Sequence, residues 1–401
     1  MATVSDNYNI ICLSNQLWDF PNWTNKKHVM TRLAKLGNTV LFVDPPINAG
    51  RVFFRQISRK LWPVRRLLTQ TKKDEVGAVV YTPVNLLPFT DLTSKNHASR
   101  IASLAKEYFN TDRKTVLWIY HVEIPQIQNY LENVPHDFLV YDCVDDYESF
   151  PLYDTPEKKE KVRSQEKYLA EKADLVFATT PLLVEKLKKY NPNVYFTPNV
   201  GDYEKFKNSR ALKKKLPKDL EVIPRPRVGF AGALDEYKFD AELMKLTAQN
   251  NPTISFVLIG QMALKDKGAS LGGVGLSDLK NIYLIGSRPY EILEYYYAGF
   301  DAYIIPYRLN DYTVGGCFPV KFHDALASGL ATVVTDLPAY APFRDVCYIS
   351  KNKAEFSTNV KKAVMEDNDA KIKARQVVAS ENNWDGKTQK LLELIGTHLK
   401  K

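Results

Sequence analysis

Two adjoining stretches decide the fold class of this chain: DAYIIP at residues 301–306 and DYTVGGCFPVKFHDALASG at residues 311–329. The first is an apolar run with the length of a buried strand, and the second ends in a short segment with the spacing of an amphipathic helix. A loop that joins such a strand to a helix lies where open α/β sheets bind ligands, at the carboxyl ends of their parallel strands. The two stretches therefore predict an α/β fold with a ligand site in the loop.

The composition of this loop fits a nucleoside diphosphate. Gly315 and Gly316 would let the backbone approach a diphosphate, and the following helix would offer free N–H groups at its amino end. Lys321 adds positive charge, and Asp324, about one turn into the helix, can accept hydrogen bonds from ribose hydroxyls. An ordinary connection, whose glycines only make a turn, is the alternative for the loop taken alone.

The length and the cysteines limit the class of protein. A chain of 401 residues exceeds the size of a single core, so two domains are expected. The four cysteines are far apart, with no C-x-x-C spacing and no secretory signal before them, which predicts neither a zinc site nor a disulfide framework and indicates a reduced, cytoplasmic compartment. The apolar stretches are shorter than the roughly 20 residues that span a bilayer, so any membrane contact should be peripheral.

Most of the net charge of +9 comes from one segment, because residues 51–73 contain eight basic residues and no acidic one. Apolar residues recur among them at steps of three to four, which is typical of a helix lying on an anionic membrane. A core-facing helix with a solvated basic back is the alternative. No nucleic-acid-binding motif accompanies the charge, so no nucleic acid partner is expected. The predicted membrane contacts are Arg51, Phe53, Phe54, Arg55, Arg59, Lys60, Trp62, Arg65 and Arg66.

Strand-like and helix-like segments alternate twice along the chain, which predicts two Rossmann-like, doubly wound parallel sheets. The two series are separated by a lysine- and proline-rich stretch without apolar periodicity. The predicted organisation is a first domain at residues 1–200, a connection at 201–226, a second domain at 227–380 and a final helix at 381–401.

The stretch FPVKFHDALASGLATVVTD at residues 318–336 resembles the donor-binding signature P-x-K-x-x-E-x-x-A-x-G-x-P-V-V-x-T-D of family-four-type glycosyltransferases, which have the GT-B fold. Lys321 and Gly329 are among the matching positions. The sequence departs from the signature at Asp324, where Glu is usual, and at Ala331, where Pro is frequent. Gly316 stands where a second Glu would contact the donor sugar, so that contact is expected from the backbone or from Thr313.

Further stretches at residues 12–20, 27–35, 140–150, 196–201, 228–235 and 304–310 resemble bacterial cell-surface polysaccharide transferases of the teichuronic-acid type. The resemblance implies two Rossmann-like domains facing a cleft, with the last helix returning to the first domain. It also implies an enzyme of the hexosyl-type glycosyltransferase class (EC 2.4). Such an enzyme would move a sugar, with retention of configuration, from a nucleoside diphosphate to a lipid-linked or polysaccharide acceptor at the cytoplasmic face of the membrane.

Glycosyl transfer requires the developing negative charge on the leaving diphosphate to be stabilised, which positioned donors and cations can do. No metal or other cofactor is therefore expected, and Asp142 and Asp145 have the wrong spacing for a metal-binding D-x-D motif. An ordinary surface lysine is the alternative for Lys238. The residues expected to bind the donor are Gly232, Lys238, Arg308, Thr313, Gly315, Gly316, Lys321 and Asp324.

The first domain is expected to supply the catalytic and acceptor residues. His121 follows a strand at its carboxyl end, where its imidazole could orient the donor sugar or take the acceptor proton. Glu123 and Asp145 are the alternative catalytic bases, together with Asp146. Contacts in the cleft are expected from the first βα loop, at Asn15, Trp18 and Asn25. Two other functions stay open: a sugar-nucleotide epimerase of the same fold, and a catalytically silent glycan-binding module.

Overall fold

A computed structural model describes residues 7–20, 23–48, 69–85, 90–261, 276–365 and 367–400 of the chain. They form two compact units: the described residues up to Thr197 together with those from Thr388 onwards, and the described residues of Pro198–Lys387. The predicted membrane contacts at residues 51–66 lie outside the described residues. No helix in the part of the chain that the structure describes is long and apolar enough to cross a bilayer.

The first unit is built on a parallel sheet of buried, largely apolar strands. Its described strands are β1 (Asn9–Leu13), β2 (Thr39–Val43), β3 (Ile47–Asn48), β4 (Thr71–Lys73), β5 (Val79–Tyr81), β6 (Val84–Asn85), β7 (Thr115–Ile119), β8 (Phe138–Cys143), β9 (Leu175–Ala178) and β10 (Val194–Phe196). Eight of them form one sheet in the order β10-β9-β8-β7-β1-β2-β5-β4, in which only the β4–β5 pair is antiparallel. In the centre, Ile11 of β1 lies opposite Leu41 of β2 and Leu117 of β7.

Local sequence signals start several helices of this unit. Thr90 and Thr93 form a reciprocal capping box at the start of the second helix, and Thr155 and Thr180 each cap a helix that has proline in its first turn. The described helices are α1 (Asn25–Lys35), α2 (Asp91–Tyr108), α3 (Ile127–Asn133), α4 (Pro156–Lys172) and α5 (Pro181–Leu187). Because the strands are parallel, the loops after β1, β7 and β8 emerge at one edge of the sheet.

The second unit is a smaller parallel sheet. Its described strands are β11 (Arg227–Ala231), β12 (Ser255–Ile259), β13 (Ile282–Gly286), β14 (Ala302–Ile305), β15 (Ala331–Thr335) and β16 (Tyr348–Ser350), in the order β13-β12-β11-β14-β15-β16. The described helices from Tyr203 onwards are α6 (Tyr203–Phe206), α7 (Lys218–Glu221), α8 (Ala241–Asn250), α9 (Leu293–Ala298), α10 (Asp311–Gly316), α11 (Val320–Ala327), α12 (Lys353–Met365), α13 (Asp369–Glu381) and α14 (Trp384–Leu399).

The last helix, α14, connects the second unit with the first. Its opening residue, Trp384, is fully buried, and its residues from Thr388 onwards belong to the first unit. There the imidazole Nε2 of His398 lies 2.9 Å from the hydroxyl of Tyr195, which is on β10. The predicted architecture, with two parallel sheets and a returning final helix, is confirmed.

Candidate functional site

The carboxyl ends of β11 and β14 bring a buried lysine site together in the second unit. Lys321, in the first turn of α11, donates a hydrogen bond from Nζ to the hydroxyl of Tyr307 at 2.7 Å. The same nitrogen lies 4.8 Å from the centroid of the Phe230 ring, within the range of a cation–π contact. Gly232 borders the ammonium so closely that a Cβ atom built at this position would lie 2.2 Å from Nζ. Gly232 therefore leaves the space that the ammonium occupies.

The Lys321 ammonium titrates in an unusual range. Burial, and then the charge of Lys238, lower the pKa of Lys321 to about 8, against a smaller opposing effect of Cys317, Asp235 and Asp324. The lysine is still mostly charged at neutral pH. A half-buried cation at the carboxyl edge of a parallel sheet is suited to bind an anionic group, because little water screens it there.

Lys238 is the second cation of this site. Its Nζ lies 3.7 Å from a carboxylate oxygen of Asp235 and 4.9 Å from the centroid of the Tyr237 ring, so it is not an ordinary solvated surface lysine. The carbonyl of Lys238 accepts a hydrogen bond from the N–H of Arg308 at 2.7 Å. Arg308 itself is exposed, and it makes this contact through its backbone N–H.

The predicted role of Thr313 as a sugar contact is not supported by its position. Thr313 is fully buried, and its hydroxyl donates to the carbonyl of Arg308. Its N–H donates to the side chain of Asn310, and its hydroxyl accepts from the N–H of Asn310, each at 3.0 Å. Thr313 therefore forms a capping box that starts α10.

The prediction of an open loop at Gly315 and Gly316 is wrong. Both glycines belong to the last turn of the short helix α10, and neither has a positive φ. The capping box at Asn310 provides the helix start, which outweighs the weak helix propensity of two glycines. The next helix, α11, begins at Val320 after Pro319, and the first N–H groups of a helix have no partner within it.

Asp324 is more enclosed than a simple ribose contact requires. It is 6% exposed, and its Oδ1 accepts the backbone N–H of Asp202 at 2.8 Å. Gly201 permits this approach, because a Cβ atom there would lie 2.7 Å from the backbone carbon of His323. Asp324 therefore anchors residues 201–202 to α11, and its predicted ribose contact stays a prediction.

In the first unit, His121 lies at the carboxyl end of β7 as expected, but its protonation favours one of its two predicted roles. Its Nδ1 accepts the backbone N–H of Glu123 at 2.7 Å, so the proton of the neutral ring is on Nε2, which lies 3.5 Å from the Glu123 carboxylate. Burial, and then the charge of Lys26, lower the pKa of His121 to about 3. A neutral ring with this tautomer donates a hydrogen bond, and it has no free nitrogen to act as a base.

Lys26 was not identified from the sequence. It is 7% exposed, in the first turn of α1, and its Nζ lies 5.4 Å from the centroid of the Tyr120 ring. Burial lowers the pKa of Lys26, although the carboxylates of Asp145 and Asp142 act in the opposite direction. Its spacing from Val29 and Leu33 places it on the buried face of the helix, a signal that could have singled it out.

The carboxylates and polar residues predicted near His121 have different surroundings. Asp145 and Glu123 are half-buried, whereas Asp146 is held by the ammonium of Lys186 at 2.9 Å, which gives it a structural role. Asn15 is exposed on the first βα loop. Asn25 is 4% exposed, and its side-chain oxygen accepts a hydrogen bond from the Tyr120 hydroxyl at 3.3 Å.

Trp18, predicted as a contact in the cleft, is a buried residue of the first unit. It is 2% exposed, and its ring packs against Phe42 with centroids 4.9 Å apart. Its indole N–H donates to Asp74 and its backbone N–H donates to Asp44, each at 2.7 Å. Because both donors have protein partners, Trp18 serves to hold the β1–α1 loop on the sheet.

Known proteins share features with this chain at two levels. Residues 225–365 match the family model described as Glycosyl transferases group 1. None of the curated proteins matches the sequence.

Solved structures are similar over nearly the whole chain, and each of the following comparisons covers at least 97% of this chain and 98% of the other. A sucrose-phosphate synthase of Thermosynechococcus elongatus is 14% identical with a TM-score of 0.68, and Anabaena HepE, solved with UDP and glucose, is 16% identical with a TM-score of 0.68. A glycosyltransferase of Rickettsia africae is 13% identical with a TM-score of 0.67.

The structural similarities confirm the predicted GT-B fold, and the family match in the second unit confirms the predicted class of enzyme. The lysine site of the second unit lies inside the matched residues, so residues 225–365 form a group 1 glycosyl transferase domain within a chain of the GT-B fold.

Proposed function

We propose that this enzyme transfers a hexosyl group from a nucleoside diphosphate sugar to a lipid-linked or polysaccharide acceptor, with retention of configuration, as a bacterial cell-surface polysaccharide transferase of the teichuronic-acid type does. The observation that carries the proposal is the pair of lysines, Lys321 and Lys238, at the carboxyl ends of β11 and β14. Anabaena HepE, which shares the fold, was solved with UDP-glucose, and this supports a donor of that class.

In this proposal the ammonium of Lys321 binds the diphosphate and stabilises the negative charge that develops as the glycosidic bond to phosphate breaks. Lys238 contributes a second positive charge, and the first N–H groups of α11 contribute donors. The exposed Arg308 and the backbone around Gly316 are further contacts in the same proposal. No metal is assigned to this role, and metal independence stays a prediction.

His121 is proposed to orient a sugar hydroxyl by donating a hydrogen bond from Nε2. The acceptor proton then goes to a carboxylate, for which Asp145 and Glu123 are the candidates. Asn15 and Asn25 are proposed contacts of the acceptor. His121→Asn keeps a donor group and His121→Phe does not, so activity should be retained better by the first variant at every pH from 6 to 8.

Donor binding is tested by thermal unfolding in the presence of UDP-, ADP- and GDP-sugars. A ligand at 100 times its dissociation constant stabilises the folded protein by about 2.7 kcal/mol, which shifts the unfolding temperature measurably. Lys321→Ala should abolish the shift, whereas Lys361→Ala, at an exposed position of α12, should not. An equal shift in both variants would remove the lysine site from the proposal.

Turnover separates the proposed activity from its alternatives. A transferase releases free nucleoside diphosphate only when acceptor is added, whereas an epimerase changes the sugar of the donor without an acceptor. A silent module binds glycan and releases nothing. Extracts of lipid-linked glycan and soluble polysaccharide, tested side by side, distinguish the two classes of acceptor.

The proposed location is the cytoplasmic face of the membrane, where the basic segment at residues 51–66 would contact anionic lipid. Each basic residue near such a surface contributes about 1 kcal/mol, so R59Q/K60Q/R65Q should weaken binding to phosphatidylglycerol vesicles about a hundredfold. The matched control, K213Q/K214Q/K215Q, removes three exposed charges of the second unit and should leave vesicle binding unchanged. Equal loss in both variants would indicate a general charge effect and contradict the assignment.

A further inference from the structure

Tyr307 is the hydrogen-bond partner of the lysine that the proposed function places on the diphosphate. Among the described residues, its hydroxyl is the only hydrogen-bond acceptor of the Lys321 ammonium, at 2.7 Å. The ammonium also lies 5.2 Å from the centroid of the Tyr307 ring, in addition to its contact with Phe230. The lysine is thus held by one hydroxyl and two aromatic rings.

The position of the Tyr307 hydroxyl is itself tightly determined. Tyr307 is 3% exposed and pairs with Phe239 in an antiparallel bridge just after β14. On either side of it, the Pro306 carbonyl accepts the N–H of Asp240 at 2.8 Å, and the N–H of Arg308 donates to Lys238 at 2.7 Å. The segment that carries the hydroxyl is therefore fixed to the loop that carries the second lysine.

The charged groups around Lys321 leave the hydrogen bond to Tyr307 as the contact that sets the position of the ammonium. The ammonium is repelled by Lys238 from the loop after β11, and it is attracted by Asp235 from the same loop and by Asp324 from its own helix. Cys317, before α11, also acts to raise the pKa of Lys321. None of the carboxylates in the described part of the chain lies within ion-pair distance of Nζ. The hydroxyl is left as the group that directs the ammonium.

We propose that Tyr307 is a positioning residue, whose hydroxyl holds the Lys321 ammonium beside Gly232, ready for a phosphate of the donor. This inference rests on the proposed function and deepens it, because it names the group that prepares the lysine before the ligand arrives. A hydroxyl that accepts from an ammonium also favours the charged form of the lysine. Loss of the hydroxyl should therefore change both the affinity for the diphosphate and its pH dependence.

The test is Tyr307→Phe, which keeps the ring over the ammonium and removes only the hydroxyl. Binding of UDP, ADP and GDP is measured by calorimetry between pH 6.5 and 9.5. Because hydrogen bonds to charged groups are the stronger kind, affinity at pH 7.5 should fall on the order of tenfold to a hundredfold, and the alkaline decline in affinity should start at a lower pH than in the unaltered protein. Tyr307→Phe in a Lys321→Met background should not lower the affinity for nucleoside diphosphate any further.

Tyr297→Phe is the matched control. Tyr297 is 2% exposed in the same unit and donates to the hydroxyl of Tyr303 at 2.9 Å, so this variant also loses a buried hydroxyl. This hydroxyl bonds to Tyr303 and not to the Lys321 ammonium. It should bind each nucleoside diphosphate with the affinity and the pH profile of the unaltered protein.

Three results would separate the failure of this inference from failure of the proposed function. If Lys321→Ala binds as well as the unaltered protein, the proposed function itself fails. If Lys321→Ala loses binding but Tyr307→Phe does not, the function stands and the inference is overturned. Tyr307 has only a structural role if Tyr307→Phe lowers the affinity without changing the pH at which the alkaline decline in affinity begins. The same conclusion follows if Tyr307→Phe lowers the affinity equally in the Lys321→Met background.

Discussion

Gly232→Ala should separate ligand binding from stability in the second unit. The added Cβ atom would lie 2.2 Å from Nζ of Lys321 and 2.6 Å from its Cε. Ordinary van der Waals contact begins near 3.4 Å, so the ammonium has to move by about 1.2 Å. The lysine end is flexible and can retreat, but its 2.7 Å hydrogen bond to Tyr307 does not survive a shift of that size.

The expected cost falls mainly on binding. Loss of a hydrogen bond to a charged group weakens donor affinity on the order of tenfold to a hundredfold. The backbone at Gly232 has a φ of +155°, which residues other than glycine rarely adopt. The backbone strain of alanine at this φ should lower the free energy of unfolding by about 1 to 3 kcal/mol. Calorimetric titration with UDP, ADP and GDP measures the first effect, and urea unfolding measures the second.

Gly229→Ala, three residues earlier at the centre of β11, is the matched control. Its Cβ atom would lie 2.2 Å from the ring of Phe300, which is buried and cannot retreat into solvent. Overpacking of this kind costs about 1 to 3 kcal/mol of stability, while the lysine site keeps its geometry. If Gly232→Ala binds the donor as tightly as Gly229→Ala does, the reasoning about the ammonium is refuted.

Three further outcomes are expected. Because the pKa of Lys321 is lowered to about 8, donor affinity should be constant below pH 7 and fall about tenfold per pH unit above 8; calorimetry that shows constant affinity up to pH 9.5 would contradict this. Burial lowers the pKa of His323 from 6.5 to about 3, so the unfolded chain binds more protons than the folded one between these pH values. The free energy of unfolding should therefore fall as the pH drops below 6.5, by about 2 kcal/mol at pH 5. His323→Phe should abolish this contribution to the pH dependence of thermal unfolding. Trp18→Phe should cost about 1 kcal/mol, because Asp74 loses its indole donor, with no change in the KM for acceptor in steady-state assays; a raised KM would restore Trp18 as a ligand contact.

Much of the architecture could be predicted because burial leaves a local record in the sequence. The continuous apolar run at residues 301–306 marked β14, and the alternation of strand-like with helix-like segments implied parallel sheets, which the structure has. The signature around Lys321 likewise marked the helix that carries the candidate donor-binding lysine. These features depend on neighbours in the sequence.

Errors arose where a residue type has more than one use. Thr313 and Gly316 suit a phosphate loop by composition, but the capping box at Asn310 turns this segment into a helix. Trp18, on a βα loop, suits a ligand contact, but its ring fills the core and its N–H has a carboxylate partner. In both cases the choice depends on a hydrogen bond or a contact that residue type alone does not specify.

The sequence by itself determined the class of fold and singled out Lys321 as a candidate donor-binding residue, because hydrophobic periodicity and motifs are properties of nearby positions. Only the tertiary structure decided what surrounds that lysine: Tyr307 lies 14 positions away and Gly232 much farther, and strand order brings them within contact. It likewise decided the tautomer of His121, which follows from one backbone N–H. The charge state of a side chain and the atoms that it can contact depend on its burial and on its hydrogen-bond partners, and these exist only once the sheets have formed.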